Sequence, residues 1–553
     1  MPNAAVVIFS FSGNSAPTGE MTDADGKFQL KDLRPGAYRV EAIAPGYVML
    51  PDVGAEFGAQ RFYRIGENVN LTLVKGGVIT GTVTNAEGEP VVAASVRAIR
   101  VRAPSERRSI NFIFGRDKLT DDRGIYRIYG LEPGTYVIAV GGSAQFFGNF
   151  NAYEGDAPTY YPSATRDTAA ELTVRAGEEL TGIDVRYRGE RGHSVSGFVS
   201  GNSTEFSERF SAVAVSLFQG ASEMPETSTY VDAAGGKSPF AISGIADGEY
   251  TVMAFRGLGN TGEMLRAARK ISVRGADITG LELKLESLGS VSGTFVLEPP
   301  PKAGCATART SALEEIVINA RRIGKEKDDE TAFLPFFRRM LTSPNDKGEF
   351  KLLNLRDGRY QLDIQLPGED WYVRSIALPV AAAAAASAGK PPAQGKSAPP
   401  GAFNLKPGER IGGSIVTIGQ GAASLRGRVN SSAEEANLPA GLRVHLVPVE
   451  AERAADALRY AETAVERDGR FALSGIAPGQ YWLLARPDAG DETADGERRF
   501  RALEPESRAA LRREAERAGV KIELQPCQRL ADYVLNYAAT PQDTMKSERS
   551  SAE

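Results

Sequence analysis

The sequence contains few of the residues from which zinc sites and nucleophilic active sites are built. Its 553 residues include only two histidines, His193 and His445. Neither stands in an H-E-x-x-H or H-x-x-E motif, so a metallopeptidase site is not predicted. No G-x-S-x-G motif precedes a helix, so a Ser-His-Asp triad is not predicted either. Acidic residues are plentiful, but no spacing singles out a catalytic pair. We therefore expect no catalytic residue, no metal ligand and no cofactor.

Cysteine is equally scarce. Cys305 and Cys527 are the only two, and most of the second half of the chain lies between them. A pair so distant in sequence favours two separate thiols over a disulfide.

The sequence also lacks strong net charge and long hydrophobic runs. A net charge of −5 provides no field to hold a polyanion, so nucleic acid is not an expected partner. No apolar run reaches the roughly 18 residues that a membrane span needs. The nearest, "ALPVAAAAAASAG", is followed by "KPPAQGKSAPPG", and this composition indicates a flexible insertion over 377–402.

Five copies of one pattern are what the sequence has instead. Each reads aromatic-x-aliphatic-x-x-aliphatic-x-Pro/Asp-Gly-x-Tyr, and the tyrosines recur roughly 100 to 120 residues apart, the size of one β-sandwich. The copies span 28–38, 126–136, 240–250, 350–360 and 471–481.

Each position of the pattern has a structural reason. The aromatic and aliphatic residues alternate with period two, which places them on one face of a strand. Pro or Asp before Gly makes a turn, because Gly accepts a positive φ. A tyrosine just after such a corner is typical of a tyrosine corner, whose hydroxyl bonds to upstream backbone. We assign this structural role to Tyr38, Tyr136, Tyr250, Tyr360 and Tyr481.

The repeats predict an all-β chain of five tandem Ig-like or prealbumin-like antiparallel β-sandwiches with a short C-terminal helix. The last strand of one repeat runs almost directly into the first strand of the next, which predicts a semi-rigid rod. The predicted repeats one to five are 1–75, 76–190, 191–287, 288–420 (with the insertion 377–402) and 421–553 (with a helix over 506–519 whose charged residues face solvent).

The pattern, with a first-strand G-x-V and a following G-x-P-V, resembles the carboxypeptidase regulatory-like domain. This is a transthyretin-like or prealbumin-like β-sandwich grouped with starch-binding-like folds, and the chain is similar to tandem arrays of it in secreted bacterial proteins. The resemblance implies a non-catalytic accessory domain, found with zinc carboxypeptidases and in surface, adhesin and transporter-linked proteins. It carries over no catalytic residue, since the matching positions are core or turn.

One stretch suggests binding. "QFFGNFNAYEGDAPTYYP" at 145–162 is predicted to be an inter-strand loop of the second repeat, where exposed rings could stack on sugars or anchor a partner protein. The alternative is that the loop folds back and packs its rings on its own sandwich. The candidate binding residues are Phe146, Phe147, Phe150, Tyr153, Tyr160 and Tyr161. A second aromatic patch, "FLPFFRR" at 333–339, has the same two interpretations.

The favoured function is a non-catalytic extracytoplasmic array that acts as a structural or binding rod. The alternatives are a carbohydrate-binding protein and an accessory part of a hydrolase; the partner would be a glycan or another surface protein, and the oligomeric state is open.

The first repeat lacks the G-x-V strand of the others and should expose a sheet edge and part of its core. We therefore expect that Met1 is not the natural start, that a signal peptide absent from this sequence stood upstream, and that the first repeat is less stable than the others.

Overall fold

The fold is that of a computed structural model. It describes residues 1–11, 18–50, 61–101, 117–142, 153–201, 212–220, 225–232, 237–257, 262–300, 305, 311–323, 341–379, 400–431, 438–439, 441–487 and 504–537. These residues fall into two compact bodies, an N-terminal body that ends at Gly289 and a C-terminal body that begins at Ser290.

The N-terminal body is built of short strands. In the first repeat they are β1 (Ala5–Ser10), β2 (Thr18–Met21), β3 (Tyr38–Ile43), β4 (Tyr47–Met49) and β5 (Leu73–Lys75). In the second they are β6 (Gly77–Thr84), β7 (Ser95–Val101), β8 (Asp117–Leu119), β9 (Ile125–Leu131), β10 (Gly134–Val140), β11 (Thr159–Tyr160), β12 (Leu172–Val174), β13 (Glu179–Leu180) and β14 (Val185–Arg186), with a 3-10 turn at Arg166–Thr168. In the third they are β15 (His193–Ser200), β16 (Ala212–Gln219), β17 (Thr227–Asp232), β18 (Lys237–Ile245), β19 (Gly248–Gly257), β20 (Met264–Val273), β21 (Ile278–Lys284) and β22 (Glu286–Ser287).

The C-terminal body repeats this plan and adds one helix. The fourth repeat holds β23 (Gly289–Leu297), β24 (Val317–Ile323), β25 (Leu341–Thr342), β26 (Glu349–Leu355), β27 (Gly358–Gln365), β28 (Trp371–Ala377), β29 (Ala402–Leu405) and β30 (Arg410–Gln420), with a 3-10 turn at Leu313–Glu315. The fifth holds β31 (Ala423–Ser431), β32 (Leu442–Pro448), β33 (Ala461–Ala464), β34 (Arg470–Ile476), β35 (Gly479–Pro487), β36 (Val520–Leu524) and β37 (Arg529–Tyr537), the helix α1 (Pro505–Ala518), and 3-10 turns at Ala451–Arg453 and Ala457–Arg459.

The chain is an all-β series of tandem sandwiches. In the second to fifth repeats a sheet containing the first strand faces a sheet containing the strand that begins near the repeat tyrosine. In the third repeat, β15 pairs antiparallel with β18 and parallel with β21, while β16 pairs with β19 in the facing sheet. Each repeat has its own core cluster; the third includes Val195, Val215 and Leu283.

The glycine of the first-strand pattern allows first and last strands to pair. At Gly197 a Cβ atom would overlap the backbone carbonyl of Leu281 on β21, and in the fifth repeat one at Gly427 would overlap that of Tyr533 on β37. Only glycine fits where two backbones approach so closely. Gly81 and Gly293 stand in the same position in the second and fourth repeats.

The described part of the first repeat has a three-stranded sheet, ordered β2-β1-β3, and a two-stranded sheet, β4-β5. Residues 27–33, which match the strands β9, β18, β26 and β34, belong to no strand. Phe28, Leu30 and Leu33 pack against the core of this repeat but stay half-buried, whereas their counterparts in the other repeats are buried. The pattern is therefore present, but no first strand among the described residues pairs with it.

The expectation of two separate thiols is wrong: Cys305 and Cys527 form a disulfide with a Cα–Cα distance of 5.2 Å. Only Gly421 and Ala422 separate β30 from β31, and both donate backbone hydrogen bonds to the Asp370 carbonyl. The Cys527 amide in turn donates to the Gly421 carbonyl at 3.0 Å. Contacts at this joint bring together positions that are distant in sequence.

The helix predicted over 506–519 is observed as α1, Pro505–Ala518. We had expected its charged residues to face solvent, and some of them do not. Arg508 is buried, and Arg512 donates to the carbonyls of Pro448 and Val449 while its guanidinium lies over the Trp482 ring. No helix in the described part of the chain is long and apolar enough to cross a membrane.

Candidate functional site

Three of the six candidate aromatic residues can be placed. Phe146, Phe147 and Phe150 lie outside the described residues, as does the patch at 333–339. Tyr160 is buried on β11, and Tyr153 and Tyr161 are half-buried against the core of the second repeat. The rings that can be described therefore contact their own sandwich.

Both the hydroxyl and the ring of Tyr153 contact residues of the second repeat. Its hydroxyl donates to the carbonyl oxygen of Val92 at 3.0 Å, and its ring meets the Tyr187 ring edge-on with centroids 5.4 Å apart. The Tyr187 hydroxyl is 3.0 Å from Asp156 Oδ2. Burial and that neighbouring carboxylate raise the pKa of Tyr187, so it remains a neutral donor.

Tyr160 forms part of the wall of a cavity of about 540 Å³ in the N-terminal body. One side of the cavity is the end of the second repeat around β11, and the other is the corner of the third repeat between β18 and β19. These segments approach closely, because a Cβ atom at Gly244 would overlap the backbone oxygens of Glu154 and Asp156. The lining includes Pro158, Tyr160, Arg166, Glu226, Thr227 and Tyr250.

A buried ionic cluster stands at the base of this cavity. Arg166 Nη1 donates to Glu226 Oε1 at 2.6 Å, and Arg97 Nη1 donates to the Glu226 backbone oxygen at 2.9 Å. Tyr160, Arg166 and Glu226 all line the cavity. Burial, followed by the Glu226 charge, raises the pKa of Tyr160 to about 12. The cluster joins the second repeat, which supplies both arginines, to the third, which supplies the glutamate.

The cluster leaves polar atoms unsatisfied. Glu226 Oε2 and Thr227 Oγ1 are buried and have no hydrogen-bond partner among the described residues. The second oxygen of Glu226 is 3.8 Å from Arg97 Nη2, too far for a hydrogen bond. Both residues line the cavity, but these two atoms have almost no accessible surface, so they lie behind its wall.

The cavity opens beside charged side chains of the third repeat. Asp247, Glu249 and Arg274 lie at the rim with most of each side chain exposed. Glu249 Oε1 accepts from Ser272 at 2.6 Å and pairs with Arg274 at 3.3 Å. Because the rim charges are solvated, their pairing contributes little to stability.

Four of the repeat tyrosines make the same kind of hydrogen bond. In each of these four tyrosines the hydroxyl donates a hydrogen bond to the backbone oxygen four residues upstream. These bonds are Tyr38 to Arg34 at 2.5 Å, Tyr136 to Glu132 at 2.8 Å, Tyr250 to Ala246 at 3.0 Å and Tyr481 to Ala477 at 2.6 Å. In the fourth repeat the Tyr360 hydroxyl is buried but has no hydrogen-bond partner among the described residues.

The two histidines lie in different bodies. His193 is half-buried, with Nε2 at 3.3 Å from Asp247 Oδ1. Burial, with Arg486 and Arg443 nearby, lowers the pKa of His445 to about 3, although Glu462 Oε2 is 3.3 Å from its Nδ1. Within the described ranges, no group of three or more His, Cys, Asp or Glu side chains could hold a metal ion.

Sequence reasoning selected Tyr160 but missed its partners. Arg97 is an arginine within the apolar strand β7, and Glu226 lies just before β17. No repeat position or motif joins these residues, because their contact arises only where two repeats pack. A buried-strand pattern interrupted by arginine was the one available signal.

No protein-family model matches the chain. The BOS complex subunit NOMO1 of Mus musculus is 27% identical over 133 residues, which is 23% of this chain and 10% of that protein. The human BOS complex subunit NOMO3 is 26% identical over 133 residues, which is again 23% of this chain and 10% of that protein. The match thus spans about a tenth of the length of these curated relatives.

The chain also has some likeness to solved structures of bacterial proteins. The Bacillus anthracis TIE protein is 12% identical with a TM-score of 0.16, over 83% of this chain and 73% of that one. A streptococcal ancillary pilin is 10% identical with a TM-score of 0.17, over 64% of this chain and all of that one.

Proposed function

We propose that the chain is a non-catalytic extracytoplasmic array of carboxypeptidase regulatory-like domains that serves as a structural or binding scaffold. The observation that carries the proposal is the use of the repeat residues. The repeated aromatic, aliphatic and tyrosine positions fill successive cores, and four of the five tyrosine hydroxyls donate to backbone oxygens four residues upstream. Residues that fill a core or close a turn in this way serve the fold, which supports a structural role for the repeat.

The proposed domains are 1–75, 76–190, 191–287, 288–420 and 421–553. Five separate core clusters support this division, because each cluster draws its residues from one of these ranges. The first-strand glycines and the parallel pairing of first and last strands recur in the second to fifth ranges. The partial likeness to NOMO proteins, described as subunits of a complex, supports a partner-binding role.

An oxidising compartment is supported by the disulfide between Cys305 and Cys527. Disulfides persist in secreted, periplasmic and surface proteins and are rare where thiols are kept reduced. The test is to trap thiols with a maleimide polymer in the producing cells. Two labels should appear only after reduction, and labelling of both cysteines without reduction would contradict the extracytoplasmic assignment.

The non-catalytic part of the proposal has its own test. The purified full chain, with and without Zn²⁺, is incubated with panels of peptides and polysaccharides, and the products are followed by mass spectrometry. We expect the substrates to remain intact. Sustained turnover that copurifies with the chain would contradict the proposal.

Glycan binding is the second candidate function. It is supported by the cavity beside Tyr160, which combines aromatic and polar walls as small-molecule sites do. A glycan array that compares the wild type with Phe147→Ala and Tyr160→Ala tests the aromatic segment 145–161. If the wild type and both variants bind glycans equally, this segment takes no part in glycan recognition.

A further inference from the structure

Two segments of the first repeat, 28–33 and 68–72, have the side-chain pattern of strands but pair with no strand. In both segments exposed polar residues separate half-buried apolar ones, such as Phe28, Leu30 and Leu71, which pack against the core. The backbone of these segments makes no hydrogen bond to any described residue. Their amide and carbonyl groups are therefore open to a further strand.

The other four repeats show what lies between such segments. In each of them the first strand pairs with the strand of the repeated pattern on one side and with the last strand on the other. In the third repeat this first strand is β15, which is antiparallel to β18 and parallel to β21. The segment 28–33 matches β18 by the repeated pattern, and 68–72 precedes the second repeat as β21 precedes the fourth. The absent element would thus be a central strand.

The turn that receives a first strand is already formed in the first repeat. Gly26 has a φ of +79°, and its amide donates to the Asp23 carbonyl at 3.0 Å. The fourth repeat has the same turn at Gly348, whose carbonyl accepts a 2.8 Å hydrogen bond from the Phe295 amide of the first strand. The Gly26 carbonyl accepts no hydrogen bond from the described residues. One anchor for a first strand is therefore in place and unused.

The first strands of the other repeats define the sequence that fits. Each contains an aliphatic residue, then Gly two positions later, then a second apolar residue two positions after the Gly. In the third repeat the two apolar residues are Val195 and Val199, and both are buried. A Cβ atom at Gly197, between them, would overlap the Leu281 carbonyl. The occupant must therefore supply two core side chains and a glycine.

This chain has no spare copy of that strand for its first repeat. The four segments with the pattern, in β6, β15, β23 and β31, are each paired on both sides within their own repeat. The stretches 12–17 and 51–60 of the first repeat, which lie outside the described residues, do not contain the pattern. The sequence and the pairing therefore favour a strand from a different polypeptide.

We propose that the first repeat binds an extended segment of another polypeptide, with the sequence aliphatic-x-Gly-x-aliphatic, as a strand between 28–33 and 68–72. The bound segment runs antiparallel to 28–33 and donates an amide to the Gly26 carbonyl. Its aliphatic side chains cover Phe28 and Leu30. In strand addition of this kind main-chain hydrogen bonds provide affinity and side-chain contacts provide specificity. The inference goes beyond the proposed scaffold function and does not depend on glycan binding.

The test uses the full chain and a fluorescent synthetic peptide with the sequence of residues 192–200, GHSVSGFVS. Binding is measured by fluorescence anisotropy, and hydrogen exchange with mass spectrometry locates it. In the peptide, Gly197→Val adds a side chain where the backbones approach, and Ser196→Val adds the same bulk on the opposite face as the control. In the chain, Leu30→Ser removes a contact, and Gln29→Ser is the matched control because Gln29 is exposed.

We expect the unmodified peptide to bind and to slow exchange over 27–33 by at least about tenfold, with no change over 239–245. Its affinity should fall at least about tenfold with Gly197→Val in the peptide or Leu30→Ser in the chain. Ser196→Val in the peptide and Gln29→Ser in the chain should leave the affinity unchanged. If circular dichroism shows that Leu30→Ser is unfolded, the two peptide variants decide the question on the wild-type chain.

Four results would overturn the inference. They are no binding of the peptide, equal affinity of the unmodified and Gly197→Val peptides, protection confined to 239–245, and slow exchange over 27–33 before any peptide is added. Sedimentation of the wild type tests a second copy as the occupant: self-association that Leu30→Ser abolishes would contradict a different partner. None of these results bears on thiol trapping or turnover, so the scaffold proposal stands or fails separately.

Discussion

The hydroxyl of Tyr481 donates to the carbonyl oxygen of Ala477 at 2.6 Å, and both residues are buried. The bond spans the Pro478-Gly479 corner, so it fixes the turn that leads into β35. The same four-residue offset recurs in other repeats. A buried carbonyl satisfied by one side chain makes that side chain hard to replace.

Tyr481→Phe should therefore destabilise the C-terminal body by roughly 1 to 3 kcal/mol, because the Ala477 carbonyl loses its buried donor. The measurement is urea unfolding followed by fluorescence of Trp371 and Trp482, which both lie in that body. Tyr230→Phe in the other body is the control, since that residue is 56% exposed. Equal midpoints for the wild type and Tyr481→Phe would show that the corner bond contributes nothing.

The disulfide gives a second prediction. Reduction should lower the thermal midpoint of the C-terminal body, since a cross-link over a long loop typically contributes about 2 to 4 kcal/mol. The Cys305→Ser/Cys527→Ser double variant should match the reduced wild type and should not respond to dithiothreitol. A reductant effect of the same size in the double variant would assign the change to another cause.

Local regularities in the sequence were sufficient to predict the tandem sandwiches and the short C-terminal helix. Period-two alternation and turn residues act within about ten residues, so one chain displays them. Contacts between repeats have no such signature. Nothing near Glu226 indicates that Arg97 and Arg166 will meet it, and nothing near Cys305 indicates Cys527. The cavity and the disulfide both depend on how neighbouring repeats pack, which no local pattern encodes.

The pKa of His445 predicts a pH dependence of stability. In the folded protein burial lowers the pKa to about 3, from 6.5 in the unfolded chain. Between these two pH values the unfolded state binds a proton at His445 that the folded state does not bind. The contribution of His445 to the free energy of unfolding is therefore complete above pH 6.5 and is lost as the pH falls toward 3. The loss amounts to at most about 1.4 kcal/mol for each pH unit.

His445→Gln should flatten this dependence in the C-terminal body. Denaturant midpoints between pH 7 and pH 4 measure it, with His193→Gln as the control because His193 lies in the other body and is only half-buried. If the denaturant midpoint of His445→Gln changes with pH as steeply as that of the wild type, other groups cause the pH dependence.

The first repeat supplies the last prediction, since its residues can be compared with equivalent residues in the same chain. Phe28, Leu30 and Leu33 are half-buried and belong to no strand, whereas Phe240, Ile242 and Ile245 are buried on β18. Strand amides bonded to a neighbour exchange slowly, and unpaired backbone over a partly covered core opens at low cost.

Hydrogen exchange with mass spectrometry should therefore show peptides over 27–33 exchanging at least tenfold faster than peptides over 239–245. Limited proteolysis should cleave within residues 1–75 before residues 191–287. The comparison is internal to one sample, so pH, temperature and protein concentration are the same for both. Equal protection of the two segments, or equal resistance of the two ranges to cleavage, would mean that the first repeat is as stable as the third and that its missing strand pairing has no energetic consequence.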